Sequence, residues 1–320
     1  MIYQGFDTSN YTTSVAALDD SGEYENIRSI LPVKQGERGI RQSDGLFLHT
    51  KNIGALYERL KIDFKKTAAA AVSVRPRNVE GSYMPVFLAG EAFARGVAHS
   101  LGVPLYEVSH QDGHIAAGIF SGNADELLDG EFLSVHLSGG TTEILKTKFN
   151  GAGFDNEIIG GTEDISAGQF IDRTGVYLGL PFPCGKELER LALGTVKSEI
   201  KGTLKLPVCE RNAYICLSGV ETKIKGMVNC YQPQLIARAV LENVAEALSR
   251  AINSAIKKTG TDRILIVGGV ASNSILRERF KQKIHGRLFF ASGELSTDNA
   301  VGTAWLARAI HERGRLWNQE

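Results

Sequence analysis

Cysteine is scarce in this chain, and the four that occur, Cys184, Cys209, Cys216 and Cys230, form no Cys-x-x-Cys pair. Their spacing suggests neither a zinc ribbon nor a thioredoxin-type redox couple, and it predicts buried free thiols in a reducing compartment. No run of about eighteen apolar residues occurs, so no membrane-spanning helix is expected. The chain opens on the strand-like MIYQGFD without a basic-then-apolar leader, which predicts a cytoplasmic protein with no membrane association. Excess charge of either sign is also absent: 36 Lys and Arg balance 36 Asp and Glu. That balance excludes a tail-driven nucleic-acid binder, and any polyanion has to be met by a local basic patch. What is present is ordinary globular composition, 43% hydrophobic and 22% charged, over 320 residues, enough for two domains with a core in each.

The first half alternates short strand-like runs with turn residues: IYQGFD, TTSVAAL, a DDSG turn and YENIRSI, which together read as a meander. A helical segment around Ala55 to Leu60, the apolar run TAAAAVSV, a helix through FLAGEAFARGVAHSL, the strand PLYEVS and a helix opening at His110 follow. This succession predicts a mixed sheet with helices on both faces. The second half repeats the plan with EFLSVHLS, a turn at Gly139 and Gly140, TTEILKTKF, several helices, a long helix from about Gln234 to Lys258, the apolar strand RILIVGG, RLFFAS and a helix in DNAVGTAWLARAIHERG. The closest internal echo sets TSNYTTSVAAL beside LSGGTTEILKT, each a polar turn with paired threonines feeding a strand. Two related lobes would place those turns across one cleft. The polar stretch SGNADELLDG from Ser121 puts the expected boundary between residues 1–125 and 126–320.

Three turns follow strands and carry phosphate-binding chemistry: DTSN at Asp7 to Asn10, LSGGTT at Leu137 to Thr142, and VGGVASN at Val267 to Asn273. Glycine lets a backbone approach a phosphate, hydroxyls add donors, and VGGVASN also opens a helix whose first amides favour anions. Any one such turn is ordinarily just a tight turn; three at matching places point to a nucleotide. His110 and His114 stand four apart in HQDGH at a predicted helix start, so both rings reach one side, the spacing of a metal pair or of two polar helix-start residues. The pair lacks the Glu that follows the first His of a zinc-peptidase helix, so the pattern is not a protease's. Asp298 in STDN is the best third ligand on chemistry, with an N-cap as its ordinary alternative. Lys223, Lys225, Arg211, Arg75 and Arg77 are isolated cations of the kind usually found solvated.

Taken in order, these stretches resemble the tRNA threonylcarbamoyladenosine transferase family almost end to end. The family's His-x-Glu-Gly-His looks like HQDGH, its Ser-Gly-Gly-His-Thr like SGGTT, its Gly-Glu-Ala-Phe-Asp-Lys like GQFIDR and its Pro-Gly-Gly like PCG at Pro183 to Gly185. Its Phe-Ser-Gly-Leu-Lys-Thr looks like LSGVET, its Gly-Gly-Val-Ala-Ala-Asn like GGVASN and its Cys-Thr-Asp-Asn like STDN. The chain departs from the pattern with Thr141 for a His, Asp112 for a Glu, Glu221 for a Lys, Ser296 for a Cys, and RPRN at Arg75 to Asn78 for Gly-Pro-Gly.

The resemblance implies a two-lobed α/β fold of the actin-like, sugar-kinase-like class, with duplicated mixed sheets. It implies one divalent or ferric ion, iron or zinc, on His110, His114 and Asp298, and an adenine nucleotide, threonylcarbamoyl-AMP or ATP, lined by Leu137, Ser138, Gly139, Gly140, Thr141, Asp172, Gly185, Glu189 and Asn273. The implied reaction passes the threonylcarbamoyl group from the adenylate to the N6 amine of the adenine beside the tRNA anticodon, with a paralogous subunit and an ATPase or kinase-like subunit as helpers. No catalytic residue is assigned. Two other readings stay open: a kinase, ATPase or carbamoyltransferase of the same fold acting on another acceptor, and a non-catalytic partner subunit. A kinase calls for a catalytic Asp at an acceptor pocket and no His pair, and a pure binding module needs no metal.

Overall fold

The computed structural model describes residues 1–9, 11–32, 40–195 and 204–317. Two compact units emerge. The first comprises Met1–Asp129, Lys148–Asp155 and the stretch from Glu294 onward; the second comprises Gly130–Thr147 and Asn156–Gly293. The expected division at residues 125/126 meets a first unit that runs four residues further and also takes back two later pieces, the tip of a hairpin and the last helix. That return is a packing effect, since the last helix covers the face of the first sheet opposite Phe6, around Tyr3, Ala69 and Ala71.

The meander forms as the turn pattern predicts: β1 (Ile2–Asp7), β2 (Thr12–Asp19) and β3 (Tyr24–Ile30) pair antiparallel. The apolar run becomes β4 (Thr67–Arg75), parallel to β1, and β5 (Leu105–Ser109) adds in parallel, giving a mixed sheet of order β3-β2-β1-β4-β5. The expected helix around Ala55 to Leu60 lies earlier and is longer: α1 spans Gln42–Tyr57. Its inward stripe is Gly45, His49, Ile53 and Leu56, and a glycine and a histidine in that stripe hide its 3.6-residue period from a reading of apolar residues alone. With α2 (Phe87–Leu101) it covers one sheet face around Phe6, Val15, Val72 and Ala94.

Alternation along β1 sends Tyr3 and Gly5 to the opposite face. There α9 (Val301–Trp317) lies so close that a Cβ on Gly5 would meet Ala300 O at 2.2 Å and Ala304 N at 2.4 Å. The same helix packs on α3 (His110–Ser121), where a Cβ on Gly302 would lie 1.9 Å from Gly113 O.

The second unit holds a seven-stranded sheet of order β12-β11-β6-β7-β8-β10-β9. Its strands are β6 (Glu131–Leu137), β7 (Thr142–Phe149), β8 (Phe154–Thr162), β9 (Cys209–Arg211), β10 (Tyr214–Cys216), β11 (Arg263–Val267) and β12 (Arg287–Phe290). Its helices are α4 (Ala167–Tyr177), α5 (Gly185–Leu193), α6 (Ser218–Met227), α7 (Pro233–Thr259) and α8 (Ser274–Lys283). The long helix α7 buries Val240, Leu241, Val244, Leu248 and Ile252 against the sheet. No helix among the described residues is long and apolar enough to cross a membrane. All four cysteines are free, but the expectation that they are buried holds for Cys184 alone. Cys209 and Cys230 are exposed and Cys216 is intermediate, because β9 and β10 are three-residue strands at the sheet's end and Cys230 lies in the turn after α6.

The α3–α9 contact sets a stability test. Gly302→Ala forces a methyl into the Gly113 carbonyl and is expected to cost about 1–3 kcal/mol by overpacking. Gly54→Ala, on α1 with nothing within 4 Å of its added Cβ, is expected to be neutral or stabilising by up to about 1 kcal/mol through helix propensity. Denaturant midpoints of both variants against the parent measure it, and equal midpoints contradict the packing reading.

Candidate functional site

In the first unit the strand β5 ends at Ser109, whose hydroxyl accepts from Asp112 N at 3.1 Å while Asp112 Oδ2 accepts from Ser109 N at 3.0 Å, a reciprocal cap that fixes the first turn of α3. His110 and His114 then project one above the other, their Nε2 atoms 3.0 Å apart. Asp298 Oδ1 lies 3.3 Å from His114 Nε2 and 3.7 Å from His110 Nε2. One ligand atom from each of the three lies within 4.8 Å of the others.

Asp298 does not cap α9. Asn299 does that, its Oδ1 accepting from Val301 N at 2.9 Å, which leaves the Asp298 carboxylate to the imidazoles. Arg28 on β3 holds the preceding loop through Thr297 Oγ1 at 2.6 Å and Asp298 O at 3.3 Å.

Asp7 plays a part that the sequence concealed. Grouped with Asn10 as a phosphate turn, it instead turns its carboxylate to His110 Nδ1 at 2.8 Å, while its other oxygen accepts from Ser9 N at 2.8 Å. Asn10 itself lies outside the described residues. A carboxylate on Nδ1 fixes the ring so that Nε2 faces the other two ligands, the usual support behind a metal-binding histidine. Burial works to raise the Asp7 pKa, but the His110 ring and the hydrogen bonds from Ser73 and Ser9 outweigh it and hold the carboxyl well below the usual range. Burial works against a charge on His110, yet Asp7 and then Asp298 outweigh it, and its pKa is pushed up to about 9. Asp298 is likewise opposed by burial and held low by His114 and His110. Two carboxylates around two imidazoles thus call for a positive charge, which fits a cation bound by two ring nitrogens and one carboxylate.

On the other side of the first turn of α3, Asp112 is fully buried, and burial raises its pKa above the carboxylate norm. Its Oδ2 accepts from Asn78 Nδ2 at 2.6 Å, and Asn78 Oδ1 accepts from Arg75 Nε at 3.0 Å. RPRN therefore braces α3, and Arg75 lines a surface pocket of about 430 Å³ with Asn78, Glu107, Asn150, Gly153 and Asp155.

In the second unit, Ser138 to Thr141 form a tight turn closed by Ser138 N to Thr141 O at 2.9 Å and Thr141 N to Ser138 Oγ at 3.1 Å. The start of α4 presses on it: a Cβ on Gly168 would lie 2.4 Å from Ser138 O, and Ser166 Oγ donates to Gly139 O at 2.8 Å. Gly268, at φ +99°, passes Leu137 O where a Cβ would come within 2.2 Å. Gly139 and Gly140 themselves are exposed, with nothing within 4 Å of an added Cβ. The other residues expected to face a nucleotide are engaged in holding this frame. Asp172 accepts from Cys184 N at 2.8 Å beside Gly185, Glu189 accepts from Ser274 N at 2.6 Å, and Asn273 caps α8 through Leu276 N at 3.1 Å. Glu221 pairs with Arg173 at 3.0 Å, while Arg211 and Lys223 are exposed.

The family model of tRNA N6-adenosine threonylcarbamoyltransferase matches residues 48–305. A protein of that name from Thermus thermophilus is 31% identical over 97% of this chain and 93% of its own length, and one from Neorickettsia sennetsu is 30% identical over 95% and 92%. Among solved structures, a ROK family glucokinase from Streptomyces griseus in complex with glucose and AMPPNP superposes over 96% of this chain and 99% of its own with a TM-score of 0.53 at 12% identity. The fold is thus the actin-like ATPase and sugar-kinase fold.

Two outcomes follow from the geometry. His110→Ala is expected to abolish stoichiometric metal in purified, reconstituted protein, and Asp7→Asn to weaken metal affinity by about 10–100-fold while leaving the three ligands in place. Elemental analysis and competition titration read both; unchanged metal content in His110→Ala contradicts the site. Replacing Gly139 and Gly140 together by alanine is expected to shift unfolding by no more than about 0.5 kcal/mol, as for open surface positions. It should nevertheless weaken AMP and ATP binding by calorimetry about tenfold, or about 1.4 kcal/mol, and equal affinity removes the turn from the nucleotide site.

Proposed function

The chain belongs to the tRNA N6-adenosine threonylcarbamoyltransferase family, and we propose that it transfers a threonylcarbamoyl group to the N6 amine of an adenosine in tRNA. The observation that carries this reading is the convergence of His110, His114 and Asp298, backed by Asp7, in a chain that the family model matches over residues 48–305. The donor is threonylcarbamoyl-AMP and the acceptor the adenine beside the anticodon. The ion is iron or zinc, since two imidazoles and a carboxylate suit both. The reaction takes place in the cytoplasm.

In the transfer the acceptor amine attacks the carbamoyl carbon, the bond from that carbon to the phosphate oxygen breaks, AMP departs with the negative charge, and the amine's lost proton passes to solvent. The exposed Gly139–Gly140 turn offers backbone N–H groups to that phosphate, fixed in place by Ser166 and by the close approach of Gly168. Asp7 keeps His110 in one orientation, and the Asn299 cap keeps Asp298 available. His110, His114 and Asp298 would hold a metal ion, which would supply Lewis acidity.

The test is mass spectrometry of tRNA nucleosides after incubation of the purified protein with tRNA, threonine, bicarbonate, ATP and an adenylate-forming enzyme. Threonylcarbamoyladenosine is expected, and its formation should fall about 10–100-fold in Asp7→Asn. Its absence with wild-type protein, with the helpers supplied, overturns the assignment.

A zero net charge supplies little of the nonspecific attraction that a phosphate backbone demands. The chain is therefore proposed to act with a paralogous subunit and an ATPase or kinase-like subunit that contribute RNA-binding surface. Weak tRNA binding by the isolated chain at physiological salt is expected in a filter or anisotropy assay; tight, salt-sensitive binding contradicts the need for helpers.

A further inference from the structure

The hairpin at the end of the second sheet carries chemistry that the transfer reaction does not use. Strands β9 and β10 are joined by Asn212 and Ala213, both at positive φ (55° and 70°), the two-residue turn whose twist suits a tight antiparallel pair. Its register sets Arg211 opposite Tyr214, Glu210 opposite Ile215 and Cys209 opposite Cys216. Directly opposed residues on antiparallel strands hold their Cβ atoms about 4.5–5.5 Å apart, and their Cα spacing of about 4.5–5.5 Å falls within the about 4.4–6.8 Å that a disulfide spans. The Cys209 thiol lies within hydrogen-bonding reach of Cys216. Cys209 is exposed, and the Cys216 thiol donates to Glu163 Oε2 at 3.4 Å.

We propose that Cys209 and Cys216 form a reversible intramolecular disulfide, a modification site in which Cys209 meets the oxidant and Cys216 resolves it. With hydrogen peroxide as oxidant, the Cys209 thiolate attacks one peroxide oxygen, the O–O bond breaks, and a sulfenic acid and one water form, the water taking the thiol proton. Cys216 then attacks the sulfenic sulfur, passing its proton to the Glu163 carboxylate. The S–S bond forms, and hydroxide leaves and recovers that proton as a second water. Two thiols lose two electrons and the peroxide gains them. A thiol-bearing reductant reverses the step by exchange. Burial and the neighbouring carboxylate and thiol push Cys216 up to about 12, which leaves first attack to Cys209 and makes the second attack depend on proton loss to Glu163.

The bond joins β9, the end strand, to β10, and β10 leads straight into the anchor of the Gly139 turn. Leu217 N and Ser218 N donate to Asp164 at 2.9 Å each, and the same segment continues to Ser166, whose hydroxyl holds Gly139 O. Oxidation therefore tethers the end strand β9 to β10, whose three residue pairs are otherwise free to fray.

The test uses the full chain, fully reduced, with near-stoichiometric hydrogen peroxide, alkylation and trypsin. Cleavage after Arg211 puts the two cysteines on separate peptides, so the disulfide registers as a linked pair that dithiothreitol separates. Wild type is expected to yield that pair, to leave Cys184 and Cys230 as free thiols alkylated after denaturation, and to show slower hydrogen exchange over β9 once oxidised. Reduced wild type should also bind one equivalent of phenylarsine oxide, which needs two close thiols and no oxidation, and C209S and C216S should each lose that binding. Glu163→Gln should slow the linkage severalfold and let a dimedone-reactive sulfenic acid accumulate at Cys209. Failure to bind the arsenical, oxidation of Cys209 to sulfinic acid without linkage, or linkage at the same rate in Glu163→Gln overturns the proposal.

Discussion

Backbone contact between α9 and the elements beneath it is the constraint on which the first unit depends. Gly302 meets the Gly113 carbonyl and Gly5 meets Ala300 and Ala304 at distances that admit no side chain. A helix from the far end of the sequence is thereby pressed onto the first sheet and onto the helix that carries both histidines. The loop just before α9 must then arrive beside His110 and His114, and Asp298 is the residue it delivers. Arg28 below and the Asn299 cap above remove the remaining freedom of that loop. The site's electrostatics follow from the same closeness, because two carboxylates brought onto two imidazoles hold a positive charge in place even before any ligand is considered.

The second unit solves a similar problem with different parts. An exposed glycine turn offers amides to an anion only if its backbone is held still. Gly168 and Gly268 allow α4 and the strand β11 to close on it from two sides, and Ser166 ties it down. Asp164 performs the same service one step further out, accepting from Leu217, Ser218 and Ile165. Burial opposes its charge and those donors more than offset it, which holds its pKa down to about 2. As its folded pKa is depressed, this anchor contributes its full stability above the ordinary carboxyl range and loses it progressively as pH falls from there through about 2.

Much of this was legible in the sequence, and the parts that were not share a cause. The i, i+4 histidines and the meander are local patterns, and local patterns survive translation into structure. The role of Asp7 was hidden because a strand-end Asp before Thr and Ser reads as a turn residue, and its partner His110 is supplied by the start of α3, far along the sequence. Asp172, Glu189 and Asn273 carry the right chemistry for a nucleotide, and one oxygen of each also holds a backbone amide, of Cys184, Ser274 and Leu276 in turn, a structural role that only packing reveals. The length of α1 escaped because its buried stripe includes Gly45 and His49. The return of α9 to the first unit escaped because nothing in a helix's own sequence names the sheet it will cover.

The departures from the family pattern are also better understood in pairs than singly. Glu221 stands where the family has a Lys, and Arg173 stands at the last, Lys position of the motif that GQFIDR resembles. The two meet: Arg173 Nη1 lies 3.0 Å from Glu221 Oε2, and Tyr177 donates to Glu221 Oε1 at 2.6 Å. Lys225 sits over the Tyr177 ring at 5.9 Å. Two cations side by side would repel and offer a concentrated positive charge to an anion; an ion pair with a phenol attached does neither. The exchange at Glu221 therefore converts an electrostatic feature into a structural one, and it is tolerated because Arg173 and Tyr177 satisfy a carboxylate that is nearly buried. RPRN follows the same logic. Its Asn78 secures Asp112 and its Arg75 secures Asn78, so the bulk that replaces a glycine turn is absorbed in bracing the helix that carries both histidines.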